Sequence, residues 1–496
     1  MPAMQAPPSA LYTASQVREL DRRAIYDLGI PGYELMTRAG HATFDALRRL
    51  WPATRSLAVL CGPGNNGGDG YVVARVARAA GVAVRVTAAA EPDQLRGDAR
   101  RAYEDFAAAG GRCQAWSEDL LDADVIVDAL FGTGLTREPQ GAAARMLDAA
   151  NASGRPIVAV DIPSGLHADT GAAPGIAARA SLTVTFIGRK VGFYLGQGPE
   201  CVGHVVFDDL GVPPATYAGQ IPAGQLLGEN DVASALPRRR RTAHKGDHGH
   251  VLVIGGGPGM PGAARLAGEA ALRAGAGLVT LAVHPDNAVA AAVRPELMCA
   301  AVRTGPDLAG VLSRATVLAI GPGLGLSEWS RGLLAAALDS GLPAVVDADA
   351  LTLLAQSPLR RDAWVLTPHP GEAGRLLGVS SPQVQGDRLS AASRLQASYG
   401  GHVVLKGAGS IVLSPGRWPC ICDRGNPGMA SGGMGDVLTG VIAGIAAQCG
   451  DLGQAARAGV FVHAQAGDLA ARRGERGLLA GDVLDQVRAC VNPSGA

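Results

Sequence analysis

Residues 425–436, GNPGMASGGMGD, set a carboxylate at the end of a glycine-rich loop that runs into the apolar stretch VLTGVIAGIAA. A loop of this kind opening a helix offers free N–H groups and a favourable dipole to an anion. The N–H groups of residues 432–435 suit a phosphoryl group in flight. Asp436 then faces the acceptor hydroxyl and takes its proton as the oxygen attacks. A glycine turn with Asp436 as helix N-cap is the plain alternative.

Other strand ends in the same half carry related chemistry. LKGAGS (405–410) places Lys406 after a strand, with small residues and Ser410 following, a sensible contact for nucleotide phosphates; a solvated lysine is the alternative. DADAL and TPHPGE end two further runs with Asp347, Asp349, His369 and Glu372. His369, flanked by prolines, reads as a rigid ligand contact. Asp347 and Glu372 suit magnesium held through waters, or else turn duties.

In the first half, VLCGPGNNGGDGYVVAR puts a polar glycine-rich turn between a strand and a helix, where open α/β sheets bind ligands. Gly62, Gly64, Gly67 and Gly68 permit close backbone approach or positive φ, while Asn65, Asn66 and Asp69 supply oxygens. No lysine or GKS ending follows, so this is not a nucleoside-triphosphate P-loop. A tight turn with Asp69 capping the helix is the alternative. VDALFGTGLTRE adds Asp128, Gly132, Thr133 and Gly134, and AVDIPSGLHADTG adds Asp161 and Ser164. Three oxygen-rich strand-end loops together favour a hard-cation site beside a ligand pocket.

The elements that must position these residues are legible as apolar runs. SLAVLC, AVRVTA, DVIVDAL, PIVAVDI and LTVTFI alternate with helical patterns, and Val72, Val73, Val76, Ala77 and Ala80 share one helical face. Such alternation implies a parallel sheet with right-handed crossovers. Residues 211–245, rich in Pro, Gly, Ala and Arg, mark a boundary. Beyond it HVLVIG, LVTLAV, TVLAIGPGLG, PAVVDADAL, WVLTPHPGE and HVVLKGAGSIVL restart an α/β sheet.

Composition bounds the function. At 496 residues the chain exceeds what one core usually serves, and 47% apolar with 4% aromatic residues and 69 glycines is the profile of a soluble, tightly turned α/β protein. A formal charge of zero recruits neither nucleic acid nor an anionic membrane. The basic run PRRRRTAHK reads as a solvated linker or local phosphate clamp. The eight cysteines lack zinc-ligand spacing and give no reason to expect a disulfide framework. No signal peptide opens the sequence and no apolar run reaches the ~18 residues of a membrane helix, so a cytoplasmic protein is expected. Ala-rich helices suit self-association, and a homo-oligomer is expected.

NNGGDG, DALFGTGL and DIPSGL, in that order and at those spacings, resemble the N-terminal domain of the YjeF family, the NAD(P)H-hydrate epimerases, over roughly residues 10–215. The resemblance implies a Rossmann-like α/β sandwich in which Asn65, Asn66, Gly67, Gly68, Asp69, Gly132, Thr133, Gly134, Leu135, Thr136, Arg137, Glu138 and Asp161 contact the hydrated nucleotide. It also implies that Asn66, Asp128 and Ser164 hold K+. The chemistry it implies inverts C6 of a hydrated dihydronicotinamide, with Asp161 as the candidate proton shuttle.

From about residue 230 to the end, the ordered set MPGAARLAGEAALRAGAGLV, IGPGLG, DADAL, LTPHPGE, LKGAGS and GNPGMASGGMGDVLTG resembles the YjeF C-terminal domain, the ADP-dependent NAD(P)H-hydrate dehydratase, of ribokinase-like fold. This implies that Ala263, Gly323, His369 and Asp436 bind hydrated NADH or NADPH, and that Lys406, Gly407, Ala408, Gly409, Ser410 and Gly435 bind the adenine nucleotide, with Mg2+. Met434 stands where the family often has threonine, so a hydroxyl contact is missing. The expected domains are 1–220, epimerase, and 221–496, dehydratase. A ribokinase-like small-molecule kinase fused to a ligand-sensing module is the rival reading, and a binding scaffold with no enzymatic role a second.

Overall fold

Alternate residues of the strand Ser56–Cys61 enter different cores: Leu57, Val59 and Cys61 pack on one side of the sheet, Ala58 and Leu60 on the other. A strand buried on both faces requires an unbroken apolar run, which SLAVLC is. The computed structural model describes residues 9–135, 137–292 and 294–492, and the chain divides into units Met1–Gly224 and Gln225–Ala496.

The first unit holds a seven-stranded sheet, ordered Cys113–Gln114, Ala83–Ala88, Ser56–Cys61, Val125–Ala129, Ile157–Val160, Leu182–Phe186, His204–Asp208. Every pairing in it is parallel. From Ser56–Cys61 the chain winds outward to one side and then returns to add Val125–Ala129 on the other. The carboxyl ends of these two neighbours therefore form the switch point at which such sheets bind ligands.

The helix after Ser56–Cys61 starts at Asn65 and ends at Ala79, so NNGGD forms its first turns instead of a loop before it. Of its expected apolar face, Val72, Val73 and Ala77 are buried, Val76 is half-buried, and Ala80 is exposed because the helix has ended. Gly62 has no alternative: a Cβ there would lie 1.6 Å from the carbonyl oxygen of Leu130. That contact locks together the two loops leaving the switch-point strands.

The second unit's sheet runs Met298–Ala301, Leu278–Val283, His250–Ile254, Val317–Ile320, Ala344–Val346, Trp364–Leu366, His402–Leu405, all parallel. HVVLKGAGSIVL forms a hairpin, with Ile411–Leu413 antiparallel to His402–Leu405 and residues 406–410 as its turn, so that Lys406 does follow a strand end. Cys420–Ile421 continues antiparallel, and Gln225 and Leu226 pair with it.

The helix Met434–Cys449 is apolar nearly all round and buried, as a central helix must be. Gly440 and Gly444 let it approach the helix Pro261–Ala274: Cβ atoms there would meet the carbonyls of Ala267 and Ala271 at 2.0 and 2.5 Å. This close seating fixes where the helix begins, and hence where Asp436 points. No helix among the described residues is long and apolar enough to cross a membrane.

Candidate active sites

A cleft of about 760 Å³ opens at the switch point of the first unit. Asn65, Asn66, Asp69, Gly132, Thr133, Gly134, Leu135, Arg137 and Asp161 all line it. Three other expected contacts do not. Gly67 packs against Gly62, where a Cβ would meet its carbonyl oxygen at 2.0 Å; Gly68 packs against Met36; and the Glu138 side chain lies against Gly175. Thr136 lies outside the described residues. None of Gly62, Gly64, Gly67 and Gly68 takes positive φ. Apart from Gly64, they serve close packing of protein on protein.

Asp69 is the fifth residue of its helix and so cannot cap it. Burial first, then the carboxylates of Asp161 and Asp21, holds it well above the ordinary carboxylate range. Asp161 sits in the left-handed region, φ 66°, a conformation that costs a non-glycine residue strain and collects at functional sites. Its carboxylate receives Lys190, Thr185 and the Phe186 N–H. Lys190 is completely buried and also donates to Thr185 Oγ1 at 2.9 Å. Asp21, from the helix Ala14–Arg22, completes the cluster; burial and then Asp161 push it up to about 6, with Lys190 opposing.

Beside the cleft, Asp128 is buried and receives Ser164 Oγ at 2.6 Å, Ser164 N at 2.8 Å and Leu130 N at 3.2 Å. Unlike Asp161, no cationic side chain among the described residues answers its charge. Asn66 is buried with its Nδ2 unpartnered and lies against Gly132, next to Phe131, whose N–H donates to Ser164 Oγ at 2.8 Å. Ser164→Ala removes the shortest of the three donors to a buried carboxylate. It is expected to lower stability by about 1–3 kcal/mol in urea unfolding.

In the second unit a pocket of about 410 Å³ gathers Asp347, His369, Glu372, Lys406, Gly407, Gly435 and Asp436. Ala263, Gly323, Ala408, Gly409 and Ser410 are not among its lining residues. Gly323, φ 56°, instead packs so closely that a Cβ there would meet Met260 at 2.9 Å and Ala263 at 3.1 Å.

Asp436 is not a cap. Gly433, φ 89°, is the N-cap of its helix, and Asp436 is the third helical residue. The unbonded N–H groups of this start are thus those of residues 434–436, slightly later than the 432–435 of the sequence reading. Met434 turns its side chain into the apolar core. Burial first, and then Asp347, pushes the Asp436 carboxyl up to about 7, with Lys406 opposing.

Lys406 donates to Asp347 Oδ1 at 2.7 Å and lies 3.8 Å from Glu372; burial disfavours its charge, but Asp347 and Glu372 more than compensate and raise its pKa. Asp347 also accepts from Thr439 Oγ1 at 2.8 Å. Both carboxylates considered for magnesium therefore face an ammonium group, and among the described residues no cluster of three His, Cys, Asp or Glu side chains suits a metal. His369 has a structural duty as well: Nδ1 accepts from Gly371 N at 3.0 Å and Glu372 N at 3.4 Å, while Glu372 accepts from His369 N. The ring remains about half exposed in the pocket.

A base whose pKa lies near neutrality gives a checkable profile. The rate of the second unit's reaction, as kcat/KM, is expected to rise with pH through about 7 as Asp436 loses its proton. Stability should run the other way: the protonated carboxyl's contribution is full below the ordinary carboxylate range and is lost as pH rises through about 7. Parallel pH–rate and pH–unfolding curves check both.

Sequence reasoning missed Asp21 and Lys190, which stand in none of the motifs quoted, and Thr439, which lies within GNPGMASGGMGDVLTG but was given no role there. Lys190, which follows Arg189 and opens the apolar stretch VGFYLG, carried at most a weak signal.

Comparison with known proteins finds a family model described as "YjeF-related protein N-terminus" over residues 32–192 and one described as "NAD(P)H-hydrate dehydratase" over 251–488. The chain is 47% identical over 488 residues to a bifunctional NAD(P)H-hydrate repair enzyme of Coxiella burnetii, covering 98% of this chain and 100% of that protein. It is 46% identical over 492 residues to the Escherichia coli protein of the same description, covering 98% and 95%. A ribokinase-like superfamily protein from Enterococcus faecalis matches structurally with TM-score 0.50 and 29% identity, over 55% of this chain and 96% of that one.

Proposed function

The chain belongs to the family of bifunctional NAD(P)H-hydrate repair enzymes, and on that premise we propose how its two sites divide the work. It is an NAD(P)H-hydrate epimerase and an NAD(P)H-hydrate dehydratase, the second on a ribokinase-like fold. We assign epimerisation to residues 1–220 and dehydration to 221–496, divisions that contain the two family matches at 32–192 and 251–488.

In the epimerase site the hydrate carries nitrogen and hydroxyl on one carbon, C6. The nitrogen lone pair expels the protonated hydroxyl as water, leaving a planar iminium, and water returns to either face. Asp161, paired with Lys190, moves the proton. Asp21 and Asp69, whose pKa values are raised, are the proton reserve of the same cleft. Asn66, Asp128 and Ser164 fit a K+ ion, because a buried carboxylate with no cationic side chain beside it needs a counter-charge. That ion would hold the 130–134 loop against the nucleotide.

In the dehydratase site hydroxide is a poor leaving group and phosphate a good one. Asp436 takes the C6 hydroxyl proton, the oxygen attacks the terminal phosphorus of ADP, and AMP departs. The N–H groups of residues 434–436 hold the transferring group. Ring nitrogen then expels phosphate, and loss of the C5 proton restores the reduced nicotinamide. Lys406 to Ser410 and Gly435 take the nucleotide, and His369 the hydrate. With Asp347 and Glu372 facing Lys406, Mg2+ would be held through the nucleotide's own phosphates.

A pocket of this kind is chiral and accepts the S epimer; the other site recycles the R epimer. One observation carries the reading: a half-buried carboxyl at a helix start, pushed up to about 7, beside a lysine. The test supplies both epimers to the full chain. With ADP, both are consumed and AMP forms; without it, they only interconvert. A stable phosphorylated product would favour the kinase reading instead.

A further inference from the structure

The least expected charge in the second unit is Arg388, the first residue of the helix Arg388–Tyr399, only 2% exposed. No carboxylate among the described residues pairs with it, and burial alone pulls its pKa down to about 10. An unpaired buried guanidinium is costly and calls for a compensating partner. What it has is backbone. Nη2 lies 3.2, 3.2 and 3.3 Å from the carbonyl oxygens of Leu405, Lys406 and Gly409, and Nη1 donates to Gln385 at 2.6 Å. Nε has no partner. The group lies so close beneath Gly407, φ 139°, that a Cβ there would meet Nη1 at 2.9 Å.

We propose that Arg388 is the positioning residue of the nucleotide loop: its guanidinium ties the carbonyls of residues 405, 406 and 409 inward and sets a positive charge beneath the turn that takes the ADP phosphates. This rests on the assignment of residues 406–410 to the nucleotide. A trans peptide whose carbonyl points in turns its N–H out. The peptides after Lys406 and Gly409 therefore aim the N–H groups of Gly407 and Ser410 away from the guanidinium, the first of them tethered to Ser410 Oγ at 3.3 Å. Outward N–H groups above a buried cation favour an anion at that spot. The diphosphate then supplies the counter-charge that the protein leaves out.

Steady-state kinetics on the full chain test this. Arg388→Met is expected to raise KM for ADP about tenfold to a hundredfold, the range for a hydrogen bond involving a charged group, with KM for the hydrate unchanged. Arg388→Lys, which keeps charge but loses the fork, should recover part of it. If Arg388→Met fails to fold, Gln385→Ala, at an exposed position, still releases Nη1 and should raise KM for ADP by about twofold to fivefold. A folded variant with unaltered KM for ADP, or with equal losses for ADP and hydrate, overturns the proposal. Hydrogen exchange on the wild-type chain separates the two failures: no protection of 406–410 by ADP defeats the loop assignment and the proposal with it. Protection with unchanged KM defeats the role of Arg388 alone.

Discussion

Asp436→Asn is expected to slow ADP-dependent dehydration by about a thousandfold, within the range for losing a positioned general base, while leaving epimerisation at its wild-type rate. The amide is isosteric, so helix Met434–Cys449 keeps its start, and Gly433 remains its N-cap. What disappears is a carboxyl pushed up to about 7, the acceptor assigned to the hydroxyl proton. KM for ADP and for the hydrate should change little, because the N–H groups and Lys406 remain. Removing a carboxylate beside Asp347 should also steady the unit, since Asp347 is a cause of the raised Asp436 pKa. AMP release in a discontinuous assay reads the rate, and nicotinamide stereochemistry by chromatography reads the epimerase. Dehydration persisting above a tenth of wild type would leave Asp436 a structural residue.

The second large effect is expected at the other site. Lys190→Met strands the Asp161 carboxylate, already held at φ 66°, without the ammonium that lies against it. Removing one partner of a buried ion pair costs about 3–5 kcal/mol, and epimerisation should fall by about a hundredfold or more. Asp161→Asn should lose a comparable rate. The double substitution discriminates: with both charges gone, stability should return toward wild type while activity does not. Chemical unfolding of the singles and the double, read as a mutant cycle, together with epimer interconversion, decides it. Additive stability losses would show that the pair is not coupled.

The residues involved show what was readable beforehand. Lys406, Asp161 and the Asn66, Asp128 and Ser164 set stand in short local motifs after apolar runs that the structure places as strands, and Asp436 stands before an apolar run that it places as a helix. The alternatives weighed for them were local too, and geometry decides them variously. Asp69 and Asp436 are interior to their helices and not caps, whereas His369 and Glu372 do cap a helix.

Asp21, Lys190, Thr439 and Arg388 were not readable. Thr439 meets Asp347 across 92 positions, Lys190 meets Asp161 across 29, and Arg388 meets the loop across 17 to 21. Their significance lies in what folding brings beside them.

The amino-acid sequence thus determined by itself where the central strands lie and which loops leave them, because an unbroken apolar run is what a strand buried on both faces requires. The partly exposed strands Cys113–Gln114, His204–Asp208 and Met298–Ala301 are not among the runs read in the sequence. Only the tertiary structure decided which carboxyls hold protons, which ammonium or guanidinium compensates them, and which glycines serve packing. Those properties depend on desolvation and on charges a few ångströms away, supplied by segments that chain order keeps far apart.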